Sequence, residues 1–350
     1  MSSEFIEYLA AAGQSAPSAD NSQPWEFGYN GNDFIVKLVN DDSGQGLELN
    51  HPAMLLSLGC VAENITQALN FVGISDRVGE FLPEASLVRF RIGADLPEID
   101  SEIKAALAPL YERQTNRFSY HNIPLSDETK KAVEVLNEGS AAVKLFDRKE
   151  DVEFIAALVK DSAEARFQSE DIHEWLGNSL RMSDEEASSG NGLDIRTLDL
   201  PPGGGFLLAL TRPWSRMKFF NRFGLHKLFA MVESLQVKKA PCLIGITAPL
   251  GSRGAFEAGM LMERVWISLN QAGLSVHPYF VLPDQISRFH ENQVPEPLRE
   301  FVGLIVSKME KKGFGANNHL HMLLRVGEGK VSPLRSRRCK PEISLSSDFK

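Results

Sequence analysis

The chain has 350 residues, 43% hydrophobic and 24% charged, with a formal net charge of −9. That length and mixture fit one large or two medium soluble domains, and the acidic balance argues against general nucleic-acid binding. Cys60, Cys242 and Cys339 are scattered, odd in number and without His at metal-ligand spacing, which argues against a disulfide framework or a zinc site and for a reducing compartment. The start, MSSEFIEYLAAAG, has no basic signal-peptide region, and no apolar run is long enough to span a bilayer. A cytoplasmic protein without stable membrane insertion is expected.

Glu4–Ala12 reads as a short amphipathic helix ended by Gly13. Ala16–Trp25, APSADNSQPW, follows. From Gln14 to Gln23 no apolar residue is larger than proline, and Pro17 and Pro24 fix φ and break any helix. Such a loop is either a solvated turn or a fixed array of donors and acceptors for a flat heterocycle with polar edges. Asp33–Val39 reads as a strand and Asp41–Asn50 as a loop. Ala53–Val72 is a helix with Met54, Leu58, Val61, Ile65, Leu69 and Val72 on one face, Cys60 beside it, and Gly73 ending it. Ser86–Ile92 is a strand and Ser101–Tyr111 a helix.

Next comes RQTNR. Arg113 and Arg117 are four apart, so a helical turn would put both guanidinium groups on one face. Two planar forks with the Thr115 hydroxyl suit a phosphate, although a solvated basic turn would look the same. Ser126 caps the next helix, Ala142–Phe146 is a strand and Glu150–Arg166 a helix. Gln168–Leu200, polar and containing SSGNG, reads as a loop or a loosely held excursion.

After the PPGGG break, Phe206–Phe229 mixes Arg212, Arg216, Lys218, Arg222 and Lys227 with Trp214, Phe219, Phe220 and Phe223. It reads as a membrane-surface helix or as a cover with aromatics on the core and cations in water. The acidic remainder of the chain favours the cover. Leu243–Ala248 is a buried strand, Ala258–Ala272 an apolar helix, Leu274–Leu282 a strand interrupted by Pro278, and His321–Val326 the last strand before a basic tail.

Gly59–Pro83 and Gly259–Pro283 align without a gap. Gly59/Gly259, Glu63/Glu263, Leu69/Leu269, Asn70/Asn270, Gly73/Gly273, Ser75/Ser275, Leu82/Leu282 and Pro83/Pro283 are identical pairs. We read two copies of one helix–turn–strand unit, hence two similar halves.

PSADNSQPW resembles the Pro-Ser-x-x-Asn-x-Gln-Pro-Trp signature of the nitroreductase-like FMN enzymes. RQTNR, GMLMERVWISLNQAGL followed by HPY, and RVGEGKVSPLRSRR extend the resemblance to their fused, two-copy, Acg-like branch over most of the chain. It implies an α+β nitroreductase-like fold, with two tandem halves forming a pseudo-dimer in one chain. Residues 1–110 would be the first half; residues 111–350 the second, with a possible lid at 201–230.

The resemblance implies that Ser18, Asn21 and Gln23 meet the flavin ring. Arg113, Thr115, Arg117, Arg337 and Arg338 would hold its phosphate, with Arg335 a further candidate. Tyr279 and Phe280 would fall at the turn facing the ring's reactive edge, and His277 reads as structural. No Lys or Arg precedes Lys37, and EGSAAVKLF stands where a second ring loop would be, so one FMN per chain is expected. A flavin enzyme needs no protein nucleophile. The chain has no G-x-G-x-x-G, so NAD(P)H would bind only transiently. The implied function is an FMN-dependent NAD(P)H oxidoreductase acting on a small-molecule electron acceptor such as a nitroaromatic or quinone. The alternative is an FMN-storage protein, and a third reading is a membrane-surface module. A monomeric pseudo-dimer or a homodimer fits either flavin reading.

Overall fold

A computed structural model describes residues 3–40, 47–74, 79–330, 332, 334–346 and 349. Positions 41–46 of the expected loop, and Ser75 of the repeat, lie outside them. Two twenty-residue helices, Pro52–Phe71 and Ser252–Gln271, pack against each other along the middle of the molecule. Pro52 starts the first, with the His51 ring accepting a hydrogen bond from the Ala53 N–H.

Both helices end in the same cap. Gly73 and Gly273 each take φ +78, the left-handed region that favours glycine. The Gly73 and Gly273 N–H groups donate to Asn70 O and Asn270 O at 3.0 Å; those of Ile74 and Leu274 donate to Leu69 O and Leu269 O at 2.9 Å. The helices touch through the first pair of the repeat. A β-carbon on Gly59 would lie 2.1 Å from Phe256 O, and one on Gly259 would lie 2.1 Å from Leu56 O. Leu56 and Phe256 stand at the same offset ahead of the two glycines, so the contact is reciprocal.

Each helix carries a five-stranded sheet. The first orders Ile343–Ser344, Trp25–Tyr29, Asp33–Leu38, Leu87–Arg91 and Glu80–Leu82; its outer strand comes from the C-terminal tail and pairs parallel to Trp25–Tyr29. The second orders Ser275–Tyr279, His319–Gly327, Cys242–Ala248, Ala141–Phe146 and Asn137–Glu138. Strand Cys242–Ala248 is buried on both faces. Cys242, Ile244, Ile246 and Ala248 join the core around the two long helices, while Leu243 joins a second cluster. That second cluster is closed by helices Lys149–Arg166, Leu225–Lys238, Val281–His290 and Glu296–Glu310.

Several expectations are corrected. RQTNR is extended, running parallel to Ser275–Tyr279 through a Thr115–Val276 bridge. Gln168–Leu200 is ordered: it holds helix Glu170–Ser179 and a small parallel pair of Leu180–Arg181 with Leu193–Asp194. Backbone and side-chain hydrogen bonds hold it, which apolar periodicity does not reveal. The expected strand to Leu282 stops at Tyr279, and Pro283 falls in the first turn of helix Val281–His290, whereas Pro83 opens a 3-10 turn. The repeat thus holds in the helix and its cap and diverges after them. Phe206–Phe229 lies in three helices, Gly204–Thr211, Trp214–Asn221 and Leu225–Lys238, separated by Pro213 and Gly224. Its cations face water as a cover requires, but Phe206, Phe219 and Phe223 are exposed rather than packed on the core.

Candidate active site

One cavity of about 1170 Å³ lies among the polar loop, the RQTNR strap, the end of strand Ser275–Tyr279, the tail and the inner face of the cover helices. The loop enters it in an unusual conformation. Asp20, Asn21 and Gln23 all have positive φ (45°, 61° and 51°) although none is glycine. Each such residue costs on the order of 1 kcal/mol, so the loop must be held from outside.

Asn21 is the main tie. Its amide nitrogen lies 3.0 Å from Gly190 O, 3.2 Å from Gly192 O and 3.0 Å from Arg337 O, and its backbone carbonyl accepts from the Gly192 N–H. The Gln23 amide donates to Gly190 O at 2.9 Å, and its side-chain oxygen accepts from the Gln14 amide and the Cys339 N–H. Ser18 Oγ accepts from the Gln23 N–H at 2.9 Å. Ser18 and Asn21 line the cavity, while Gln23 turns inward as a structural tie. The SSGNG glycines let the 190–192 backbone approach this closely: a β-carbon on Gly190, φ +87, would lie 2.7 Å from Arg338 O.

At one end of the cavity the charges do not balance. Arg113 is buried; its Nε lies 2.9 Å from Glu263 Oε1, its guanidinium 4.5 Å from the Trp266 ring centroid, and its Nη2 donates to Ser15 O at 3.1 Å. Arg338 reaches the same Ser15 carbonyl at 3.5 Å and donates to Asn21 Oδ1. Enclosure, and then Arg113, lower the Arg338 pKa to about 9. Burial pushes Glu263 up to about 7, with Arg113 and Arg338 pulling it back. Two cations thus share one carboxylate, and the arrangement is that of an anion receptor.

Extended backbone alternates sides, so Arg113, Thr115 and Arg117 still face the cavity together. They are spread along it rather than stacked on one helical turn. Arg117 reaches Thr197 at 3.4 to 3.5 Å and interacts electrostatically with Asp20. Asp20, its Oδ2 buried without a partner, is pushed by burial to about 6 against the pull of Arg117 and Arg166. Of the tail arginines, Arg335 also lines the cavity and donates to Tyr111 O and Glu112 O. Arg337 instead pairs with Asp184 at 2.8 Å and is absent from the lining.

Tyr279 and Phe280 both line the cavity. The Tyr279 hydroxyl donates to Gln236 Oε1 at 2.9 Å, and burial raises its pKa. Phe280 meets the His51 ring edge-on. Burial holds His51 down to about 4, and its Nε2 lies 3.8 Å from Asp284, itself pushed up to about 6. His277, also lining, is half-buried, and its desolvation holds it well below its ordinary range. His51, Asp284 and Arg288, which also line the cavity, carry no sequence signal of their own. Asp20 lies within PSADNSQPW, and Glu263 and Trp266 within GMLMERVWISLNQAGL, but those motifs do not mark their roles.

No family model matches the chain, and no curated protein sequence matches it. Among solved structures it is similar to an FMN-bound nitroreductase from Bacteroides fragilis NCTC 9343 (10% identity, 65% of this chain and 90% of that one, TM-score 0.37). It is similar also to an FMN-dependent nitroreductase from Mycobacterium smegmatis in complex with NADPH (15%, 66% and 90%, TM-score 0.32). A third is a BluB-like flavoprotein from Clostridium difficile 630 (13%, 70% and 96%, TM-score 0.35). Likenesses this distant leave the function to be read from the site's own residues.

Much of the remaining wall is apolar, formed by Leu56, Met262, Trp266 and Leu207 and Leu208 of the cover, while Arg166, Asp171, Glu233, Asp284 and Arg288 also line it. Among the described residues no group of three or more His, Cys, Asp or Glu is placed to hold a metal, and no helix is long and apolar enough to cross a membrane. A site with cations at one end, apolar walls and a rigid polar loop can take a flat apolar ring that carries an anion.

Proposed function

We propose that this chain is an FMN-dependent oxidoreductase of nitroreductase type, passing hydride from NAD(P)H to an oxidised small molecule such as a nitroaromatic or a quinone. The observation that carries the reading is the pair of enclosed arginines, Arg113 and Arg338, meeting at Ser15 O with only Glu263 as counter-ion. A phosphate supplies the missing negative charge, and the apolar walls suit the ring. When bound, FMN supplies the hydride chemistry.

The chain's own residues do the rest. Arg113 and Arg338 bind the phosphate, with Thr115 facing the same cavity. Ser18 and Asp20 present polar groups to the ring's edge from a loop that Asn21 ties to the 190–192 backbone and the tail. Burial keeps Asp20 within reach of a proton near neutral pH, against the pull of Arg117. Tyr279 and Phe280 border the ring's reactive side, and the cover leucines exclude water from it. Gln23 and Arg337 act indirectly, one holding the loop and the other the tail.

We further read the two long-helix units as fused copies, divided near residue 110. The reciprocal Gly59 and Gly259 contact and the duplicated cap support this. One flavin per chain is supported by a different observation, that the repeat mate of Glu263 is already satisfied: Glu63 accepts two bonds from Arg264, which also binds Glu138.

A second reading, FMN storage, is favoured by the cover helices lining the cavity. An absorbance scan of the purified chain, followed by NADH and NADPH under argon, tests both. A flavin spectrum that bleaches supports the oxidoreductase, and one that stays yellow supports storage. No flavin, even after FMN is added, overturns both.

A further inference from the structure

We propose that the outer face of the cover, helices Gly204–Thr211, Trp214–Asn221 and Leu225–Lys238, docks on an anionic lipid surface. Eight of the fifteen exposed large apolar side chains among the described residues fall between Leu200 and Leu235; Leu200, Leu228 and Val232 of these also border the cavity, and the other five do not. Phe206 and Phe223 are about three-quarters exposed, at 76% and 77%. On the third helix, Leu228, Met231, Val232 and Leu235 repeat at the spacing of one helical face, yet that face is open. The opposite face, through Ala230, Ser234 and Val237, packs inward.

The charge pattern selects the occupant. Between Asp199 and Glu233 there is no acidic residue, while Arg212, Arg216, Lys218, Arg222 and Lys227 are all exposed. None of the five takes part in an ion pair among the described residues. The chain as a whole is acidic, at −9, so any attraction to an anionic surface must come from this local cluster of cations. A second copy docked through this face would set five cations against five cations. Protruding phenylalanines among unpaired cations instead match an anionic interface, where rings enter the acyl boundary and cations meet headgroups. Leu228 and Val232 belong both to this face and to the cavity wall, so docking would set the cavity's apolar side against the lipid. The proposal does not depend on the flavin reading.

The test is flotation of the full chain with vesicles of phosphatidylcholine alone or mixed with phosphatidylglycerol, at low and high salt. Binding is expected only to the anionic vesicles and should weaken with salt. The double variant Lys218→Gln/Arg222→Gln should lower partitioning roughly thirty-fold, at about one kcal/mol per cation. Phe206→Ser/Phe223→Ser should lower it too, with an unchanged circular dichroism spectrum, because these rings are exposed. Equal binding, or none, to both vesicle types overturns the proposal, as do variants that bind like the parent. A concentration-dependent dimer that Phe223→Ser dissolves, without vesicle binding, assigns the face to self-association instead.

Discussion

Arg338→Met separates a ligand-binding cation from a structural one. In the absence of an anion, Arg338 contributes a bond to Asn21 Oδ1 and a long one to Ser15 O, each charge-assisted and worth about 1.5–3 kcal/mol. Against these stand its enclosure and the repulsion of Arg113, which together lower its pKa to about 9. The two sides nearly cancel, so the apo protein should change by no more than about 1 kcal/mol, a melting shift of about 1–2 °C for a chain this long. A charged hydrogen bond to a phosphate is worth about 1.5–3 kcal/mol, so FMN affinity should fall roughly 10- to 150-fold. The assay is quenching of flavin fluorescence on titration with the apo chain, beside melts with and without FMN. Unchanged FMN affinity would refute the anion receptor. An apo melt lowered by more than about 5 °C would show Arg338 to be structural.

Arg337→Ala serves as the contrast: its exposed pair with Asp184 predicts a stability change of about 0–1 kcal/mol and no loss of FMN affinity. Gly259→Val drives a β-carbon into Leu56 O, 2.1 Å away, and should cost about 3 kcal/mol or more in chemical denaturation; a loss under 1 kcal/mol would mean that the helix crossing is loose. Glu263 is pushed up to about 7, so the folded apo state holds more protons than the unfolded one between about pH 4.5 and 7. Its contribution is therefore fully present below that window and lost as pH rises through it. Asp20 and Asp284, both near 6, act in the same direction. Glu263→Gln should flatten part of this decline in apo melting temperature, and a slope identical to the parent's would contradict the assignment.

Most regular elements were legible because their burial is one-sided. The face Met54–Val61–Ile65–Leu69 announces a helix, and Gly73 and Gly273 announce their caps. Two kinds of element were not. Helices Val281–His290 and Glu296–Glu310 went unread because an apolar strand runs straight into the first. Gln168–Leu200 looked loose because its order comes from Asn21 and Gln23 reaching backbone carbonyls about 170 residues away. The open face of Leu225–Lys238 has an ordinary amphipathic spacing. Periodicity marks an apolar stripe but does not say whether anything covers it.

By itself the sequence determined the polar loop between two prolines, the arginines beside it, and a duplicated helix with its cap. Each is a property of adjacent residues, set by backbone restriction, charge and period. Tertiary structure alone decided which groups meet. Arg113 finds Glu263 and Trp266, Arg338 finds Asn21 and Ser15, and Gly59 finds Phe256. It also decided that Gln23 and Arg337 turn away from the cavity. These outcomes depend on how the two long helices cross and how the tail returns to the first sheet. Pairings across two or three hundred residues are fixed by packing the whole core, and no local pattern encodes them.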